Sequence, residues 1–596
     1  MLILDCEVYS NYFLLMFKST ASGRYASYEL FEGREFDTGA VSRNMSSHTT
    51  VSFNGNSFDI VMIAAALAGR SCEQLKALCD DLILSKLPAW KIAREQNVTM
   101  PKAGRWDHID LIEVAPGKAS LKIYGGRLGA PTMQDLPFIP SDTILPEQRE
   151  IVRSYCANDL DTTERLYRKL EPAIKLREDM SAQYGGIDLR SKSDAQIAEA
   201  VIAHELETLT GNRYKPITLP DDHVCAYKDP KIVSFETPTL RDVFKRILET
   251  GFPIGANGSV KIPEWLQNTK IKIGLTEYQM GVGGLHSCEK SRSVVASADE
   301  MLCDFDVASY YPSIILMLRL SPKKMGKDFL KVYQSIVSRR LEAKKRGDKL
   351  VADTLKIVVN GSFGKLGSKY SALFAPELMI QTTITGQLCL LMLIERLEAI
   401  GVKVISANTD GIVVLCSKEL SDEMDKVTFT WMLYTSFELE RSDYSALHSR
   451  DVNNYIAVKT DGKTKRKGAF SEPTLAKNPE FTIVTDAVAE YLSKGTSIEK
   501  TIGDCRDILK FVTVRRVDGG GKWRGEFLGK AVRFYYSSKV LRSEHIAYAK
   551  NTNKVPRSDG ARPLMTLPEA FPSDVDVFRY VEMARAALTD LGVRSA

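Results

Sequence analysis

The 596-residue sequence predicts a multidomain protein of mixed α/β and α+β class. Three observations carry that expectation. Residues 1–190 alternate short apolar strands with helical stretches. Residues 301–470 set two strong apolar strand signals around an amphipathic helical pair at about 327–365. No internal repeat, low-complexity tract or disordered linker intervenes, so the domains should abut. Between the two regions, residues 191–300 mix helix and loop, punctuated by Pro216, Pro220, Pro230 and Pro238. Residues 471–596 read as helices, a hairpin turned at Gly519–Gly521, and a terminal helix.

Composition removes several classes. With 44% hydrophobic and 26% charged residues the chain is ordinary for a globular protein. No apolar run reaches the roughly 18–20 residues that cross a bilayer, and the opening MLILDCEVYS has no basic n-region or long apolar core. The expectation is therefore no membrane association and a cytoplasmic location. None of the ten cysteines forms a C-x-x-C pair, which favours buried free thiols in a reducing compartment over a zinc site. The net charge of +5 decides little. Lys and Arg do concentrate over residues 323–369, which suits a phosphate-bearing partner or a solvated helix face equally well.

A first acidic constellation lies within residues 5–159. An apolar strand carries Asp5 and Glu7, which period-two geometry puts on one face. The strand TVSF leads to Asn54, Phe58 and Asp59. A helix then carries Tyr155 and Asp159, four apart and so on one face. Each piece has a bland explanation alone, as a solvated turn or a chance pair on a helix. In this order, four carboxylates and a tyrosine make a site for two divalent ions that could activate a water against a phosphodiester, with Tyr155 orienting the water.

A second constellation lies within residues 278–470. CDFDVASYYPSIIL offers Asp306, Val307, Tyr310, Tyr311 and Pro312. LKIVVNGSFGKLG places Lys356 and Asn360 on one helix face, and Arg340 and Lys344 are likewise four apart. VKVISANTDGIVVLC reads as strand, tight turn, strand with Asp410 at the turn. GVGGLHS supplies Gly283 and Gly284, and NNYIAVKTDGKTKRKG supplies Tyr455 and Lys467.

These motifs carry two resemblances. The triple D-x-E, N-x-x-x-F-D and Y-x-x-x-D resembles the tyrosine-bearing subgroup of the DEDD 3′→5′ exonucleases over roughly residues 1–170. D-x-x-S-Y-Y-P-S-I, K-x-x-x-N-G-S-F-G and N-T-D-G resemble motifs A, B and C of the family B DNA polymerases. The resemblance implies an RNase H-like exonuclease domain plus a right-hand polymerase of palm, fingers and thumb. The expected limits are 1–190 for the exonuclease, 191–320 for a connecting region and N-terminal palm, 321–370 for the fingers, 371–470 for the palm with motif C, and 471–596 for the thumb and C-terminal region. It also implies Mg²⁺, two per active site, with Mn²⁺ as a substitute. In the first site Asp5, Glu7, Asp59 and Asp159 would be ligands, Asn54 and Phe58 would hold a frayed 3′ end, and Ser120, Leu121 and Lys122 fall where related enzymes touch single strands. In the second, Asp306, the Val307 carbonyl and Asp410 would hold metal, while Arg340, Lys344 and Lys356 would grip the triphosphate. Asn360 would lie beside the nucleotide, and Tyr311 would exclude a ribose 2′-OH. Gly283 and Gly284 would let backbone amides approach template phosphates, and Tyr455 and Lys467 would hold the primer. A DNA primer-template and dNTPs are the implied partners, replication accessory proteins are candidates, and a monomer is expected.

The chain departs from the family pattern at three points. Asn408 stands where motif C usually has its first aspartate, Val282 where a tyrosine-type residue is usual, and Asn453 where a lysine is usual. An amide brings no charge to a metal pair, so Asp410 is expected to be the shared ligand and Asn408 a hydrogen-bonding support. The intervals Asp306–Lys356 and Lys356–Asp410 are 50 and 54 residues. They leave no room for the two insertions of protein-primed phage polymerases, so the resemblance points to a compact, nucleic-acid-primed phage or prophage replicase. The alternatives are an exonuclease with a degenerate, DNA-binding polymerase module, a replication-complex protein without chemistry, and a protein-primed replicase. On Gly519–Gly521 and the basic and aromatic residues around them (Trp523, Arg524, Lys530, Arg533, Tyr535, Tyr536), duplex contact and a half-buried β-surface are equally supported.

Overall fold

The computed structural model describes residues 1–102, 104–220 and 222–593, which form two compact units of mixed α/β structure. The first comprises Met1–Ser193, Pro473–Ile483 and Asp504–Tyr580. The second comprises Asp194–Glu472, Val484–Gly503 and the stretch from Val581.

A five-stranded sheet organises the first unit: β1 (Leu2–Tyr9), β2 (Tyr12–Ser19), β3 (Tyr25–Leu30), β4 (Thr50–Ser52) and β5 (His108–Asp110), in the order β3-β2-β1-β4-β5. The first three strands are antiparallel, and β4 and β5 run parallel to β1. Helices α1 (Asp59–Leu67), α2 (Leu121–Arg127) and α3 (Arg149–Gln183) follow in the chain. Alternation along β1 sorts its side chains between two cores. Leu4, Cys6 and Val8 join the core with Val61 and Ile63 of α1, while Ile3 and Tyr9 join the core with Cys156 and Leu160 of α3. Asp5 and Glu7 therefore share the face that α3 covers.

The second unit begins with helix α4 (Asp194–Thr210) and is built on a ten-stranded antiparallel sheet. Its strands are β6 (Lys270–Ile273), β7 (Thr276–Met280), β8 (Leu285–Ser287), β9 (Arg292–Val295), β10 (Glu300–Val307), β11 (Lys403–Asn408), β12 (Gly411–Ser417), β13 (Leu439–Asp451), β14 (Asn454–Lys459) and β15 (Thr464–Arg466). The order is β15-β14-β13-β10-β12-β11-β8-β7-β6, with β9 also on β13. Helices α5 (Tyr310–Met317), α6 (Gly326–Arg346), α7 (Lys349–Leu366) and α8 (Pro376–Ala399) complete the frame. The expected helical pair at 327–365 is α6 and α7. It is joined at Gly347, whose φ of 72° ends α6, and at Asp348, whose carboxylate accepts from Val351 N at 3.1 Å to start α7.

One helix revises the hydropathy expectation. α8 is long and apolar enough by composition to cross a bilayer, but 89% of its apolar window is buried within the protein. Ile380, Ile384 and Leu388 pack there on Phe305, Val307, Ile412 and Val414 of the sheet. The long apolar stretch is explained by full burial rather than by lipid.

The segment expected as a single C-terminal region, 471–596, is shared between the units. The reason is the hairpin β16 (Thr513–Trp523) and β17 (Glu526–Tyr536), whose Val514 and Ala531 pack with Ile123 and Met133 of the first unit. Its turn is also displaced from the expected glycines. The chain reverses at Arg524 and Gly525, with φ of 51° and 88°, the pair of positive values that a two-residue hairpin turn needs. Gly519–Gly521 lie within β16, where the ladder shifts register; a Cβ on Gly520 would fall 2.2 Å from the Phe527 ring. Burial also decides between the two readings of the hairpin for its later residues. Arg533 is 0% exposed and donates to the carbonyls of Leu564 and Ala130 at 2.8 and 2.9 Å, and Tyr535 and Tyr536 are buried. These three belong to the unit's core and not to a DNA-facing surface.

Replacing Arg533 by Met strands both carbonyls without a donor and should lower the stability of the first unit by about 2–4 kcal/mol. A thermal melt of the full chain checks this: a lower transition temperature for the first unit with that of the second unchanged is expected, and no shift in either would contradict it.

Candidate active sites

In the first unit, the shared face of β1 meets the first turn of α1 and the second turn of α3. Asp59 opens α1 and is fixed from β1, since the Cys6 amide donates to its Oδ1 at 3.1 Å. Tyr155 and Asp159 descend from α3, both buried. Carboxylate oxygens of Asp5 and Glu7 and the Cys156 sulfur lie within 4.8 Å of one another. Lys122 of α2 closes the group: its ammonium bonds both oxygens of Asp159 and sits 4.2 Å from the centre of the Tyr155 ring. The structure thus brings together Asp5, Glu7, Asp59, Tyr155, Asp159 and Lys122.

Burial and mutual repulsion govern the charges here. Burial first, and then the charges of Asp59, Glu7 and Asp159, hold Asp5 well above the usual carboxylate range. Burial and the Asp159 charge push Glu7 up to about 8, against the pull of Lys122. Burial and Asp110 push Asp59 up to about 7. Asp159 is raised by burial, with Lys122 opposing. Such a cluster of hard oxygen donors that cannot all ionise unaided fits divalent metal, whose charge would offset the repulsion.

Asp110, at the end of β5, belongs to no motif in the sequence. It is 2% exposed and accepts from the amides of Asn54, Asn56 and Ile112 at 2.8, 2.9 and 3.1 Å. These bonds fix the Asn54 loop, whose Asn54 has φ of 70°, and so set where α1 begins. Its only sequence signal is an aspartate closing an apolar strand. Asn54 and Phe58 sit on this loop, partly exposed, with Phe58 packed on the α1 core. Ser120 precedes α2 as its N-cap residue without a capping bond, and Leu121 packs into the α3 core.

In the second unit a cleft of about 1040 Å³ opens over the middle of the sheet. Side chains on β10 alternate between the α8 core (Cys303, Phe305, Val307) and the opposite face (Leu302, then Asp304 and Asp306). The register pairs Asp306 with Gly411 on β12 and with Glu440 on β13, and the Val307 amide donates to the Asp410 carbonyl at 2.7 Å. Asp410 lies in the turn from β11 to β12, where Thr409 takes a φ of 54°. Asp306, Val307 and Asp410 therefore converge on the cleft, and Arg340 and Lys344 of α6 and Lys356 of α7 line it with Tyr455 and Lys467. Arg340 donates to Ser309 Oγ at 2.8 Å, and Lys344 lies 3.4 Å from Glu440.

Asn408 lines the cleft with both ends of its amide engaged. Its Nδ2 donates to the Val452 carbonyl at 3.2 Å and Asn453 Oδ1 at 3.3 Å, and its Oδ1 accepts from Thr409 Oγ1 at 3.1 Å. It braces the β11–β12 turn against the β13–β14 turn.

Four of the predicted residues lie outside the cleft lining. The Tyr311 hydroxyl bonds the Gly283 carbonyl, and its ring packs 4.4 Å from that of Phe363 on α7. Asn360 is exposed on α7. Gly284 packs under Thr409, where a Cβ would fall 2.8 Å from the Thr409 Cα, so its small size serves the motif C turn; Gly283 has open space around it. Two cleft residues go beyond the sequence expectation. Asp304 and Lys465 pair at 2.7 Å beside Asp306. Both lie inside segments singled out in the sequence, CDFDVASYYPSIIL and NNYIAVKTDGKTKRKG, but nothing local pairs them.

Each unit thus presents a carboxylate cluster beside lysine. No family model matches the chain. Among curated proteins it resembles "DNA polymerase 1" of Sulfolobus acidocaldarius, at 23% identity over 268 residues, or 41% of this chain and 29% of that protein. The protein of the same name from Sulfurisphaera ohwakuensis is 23% identical over 268 residues (41% and 30%), and that of Aeropyrum pernix is 23% identical over 250 residues (35% and 25%). The matches thus span under a third of these relatives' length. A solved structure of the family B DNA polymerase from the hyperthermophilic archaeon Pyrobaculum calidifontis aligns with 100% of this chain and 78% of its own at 16% identity, with a TM-score of 0.42, too low to assign a fold.

The raised carboxylates give a pH signature. The ordinary values of 4.5 and 3.8 for Glu7 and Asp59 rise to about 8 and about 7 in the folded chain. Between those limits the folded state holds protons that the unfolded state has lost, so stability falls as pH rises. In EDTA, the melting temperature of the first unit should fall from pH 5 to pH 8, Mg²⁺ should reverse the fall, and Asp5→Ala/Glu7→Ala should lessen it, leaving the part that Asp59 contributes. A melting temperature that climbs over this range in EDTA would contradict this balance of charges.

Proposed function

We propose that the chain is a family B-type, template-directed DNA polymerase that also removes nucleotides from the 3′ end of DNA. The observation that carries this reading is the convergence of Asp306 and Asp410 from neighbouring strands into a cleft lined by Arg340, Lys344 and Lys356. The names of the three curated relatives agree with it.

In this reading Asp306, Asp410 and the Val307 carbonyl would hold Mg²⁺, which when bound lowers the pKa of the primer hydroxyl and neutralises the triphosphate. The chain's own residues do the rest. Lys344, Lys356 and Arg340 neutralise and orient the incoming phosphates, Arg340 through a planar fork already anchored on Ser309. Tyr455 and Lys467 line the side of the cleft where a primer end would lie. Asn408 keeps the Asp410 turn in place without contributing charge.

In the first unit Asp5, Glu7, Asp59 and Asp159 would hold the ions for 3′→5′ hydrolysis, and Tyr155 would orient the attacking water. Because Lys122 occupies both Asp159 oxygens, it has to yield part of that contact when ions bind, and its charge then faces a phosphate. A proofreading role in replication, in a compact phage-type setting primed by nucleic acid, completes the proposal. An exonuclease whose second unit only binds DNA is a competing reading that Asn408 favours.

Primer extension with Mg²⁺ and dNTPs separates the two. Asp410→Asn should abolish extension, while Asn408→Ala should retain a measurable fraction, with 3′ digestion intact in both. Equal loss in the two variants would overturn the metal assignment, and digestion without extension by the unaltered chain would favour the competing reading.

A further inference from the structure

Lys465 stands at the carboxylates of the second unit's cleft without a part in the chemistry so far described. Its ammonium lies 2.7 Å from Asp304 Oδ2 and 3.5 Å from Asp306 Oδ2. Asp304 is 5% exposed, and the same Oδ2 also accepts from the Tyr444 hydroxyl on β13. The two aspartates are unequal partners. A buried carboxylate stripped of its cation is costly, whereas the Asp306 side chain is 51% exposed and can be solvated. Asp304 and Tyr444 therefore fix where the ammonium sits, and Asp306 adjusts to it. The other Asp306 oxygen is constrained too: Oδ1 lies over Gly411, where a Cβ would come within 2.3 Å. The carboxylate is thus held from one side by a cation and given room on the other by the absence of a side chain.

We propose that Lys465, anchored by Asp304 and Tyr444, is a positioning residue for Asp306, fixing the rotation of its carboxylate before substrate arrives. This rests on the polymerase reading of the cleft. A lysine has three donors, so one can serve Asp304 while another restrains Asp306. A restrained ligand lowers the reorganisation needed at each turnover, and loss of such a supporting contact at a metal ligand typically costs about 10–100-fold in affinity or activity. The restraint acts on geometry and not on net charge, which distinguishes it from simple neutralisation of an acidic cleft.

The test compares Lys465→Met, Lys465→Arg and the double variant Asp304→Asn/Lys465→Met, all in an Asp5→Ala/Glu7→Ala background that removes two carboxylates of the other site. The double variant matters most, because it keeps the charge balance and leaves no buried carboxylate unpaired. Single-turnover extension, Mn²⁺ binding by electron paramagnetic resonance and thermal melting are read on each. The expected result for the double variant is extension about 10–100-fold slower at saturating dNTP, with KM for dNTP, Mn²⁺ binding and melting close to the background. Lys465→Arg should recover part of the rate lost in Lys465→Met. Background-level extension by the double variant would overturn the proposal, since the pair would then only balance charge. Parallel loss of rate, Mn²⁺ binding and melting temperature would also overturn it, since the role would then be structural. A background protein that does not extend primers at all would refute the polymerase reading itself, and the inference with it.

Discussion

Like charges held close together in places that water reaches poorly are the constraint on which this chain is organised. In the first unit four carboxylates share one enclosed site, and burial together with their repulsion holds protons on groups that would be ionised in water. Nothing in a folded core gains from such an arrangement. It persists because the surrounding structure leaves the groups no alternative: β1 is pinned between two cores, Asp59 is fixed by the Cys6 amide, and Asp110 secures the loop that delivers it. In the proposed function a divalent ion would release this stored repulsion, and the strain of building the site would then contribute to its affinity.

The second unit meets the same constraint differently. Its cleft is open, and its acidic groups are interleaved with cations: Lys465 between Asp304 and Asp306, with Lys467 alongside and Arg340, Lys344 and Lys356 on the facing helices. Burial and the Asp304 charge still raise Asp306, but Lys465 opposes them. With an amide at Asn408, the site carries less negative charge than its motif would usually bring, and its cations suit a substrate that brings phosphates of its own. One unit stores repulsion; the other is nearly balanced.

Much of this is legible in the sequence, because the sites are built from short-range periodicity. Period two puts Asp5 with Glu7, and period 3.6 puts Tyr155 with Asp159 and Arg340 with Lys344. What escapes depends on partners distant in the chain. Lys465 matters because the order β15-β14-β13-β10 carries it to Asp304, and no local pattern encodes that order. Asp110 matters through amides some 50 residues earlier. Gly284 reads as a contact for template phosphate, and that its lack of a side chain also answers to Thr409 is visible only in the fold. The glycines of β16 read as a turn because glycine signals positive φ equally in a bulge and in a hairpin, and only the ladder distinguishes them. Arg533 reads as a surface cation, although its aliphatic stem and two buried carbonyls draw it inside.

The proposed function makes the two carboxylate sites separate active sites that act on the same DNA end. Its most direct test follows one 5′-labelled primer-template through both reactions as dNTP concentration is raised, using the unaltered chain, Asp5→Ala/Glu7→Ala and Asp306→Asn. A crossover is expected: the unaltered chain passes from shortening the primer to extending it, the first variant only extends, and the second only shortens. Loss of both reactions in either variant would contradict it.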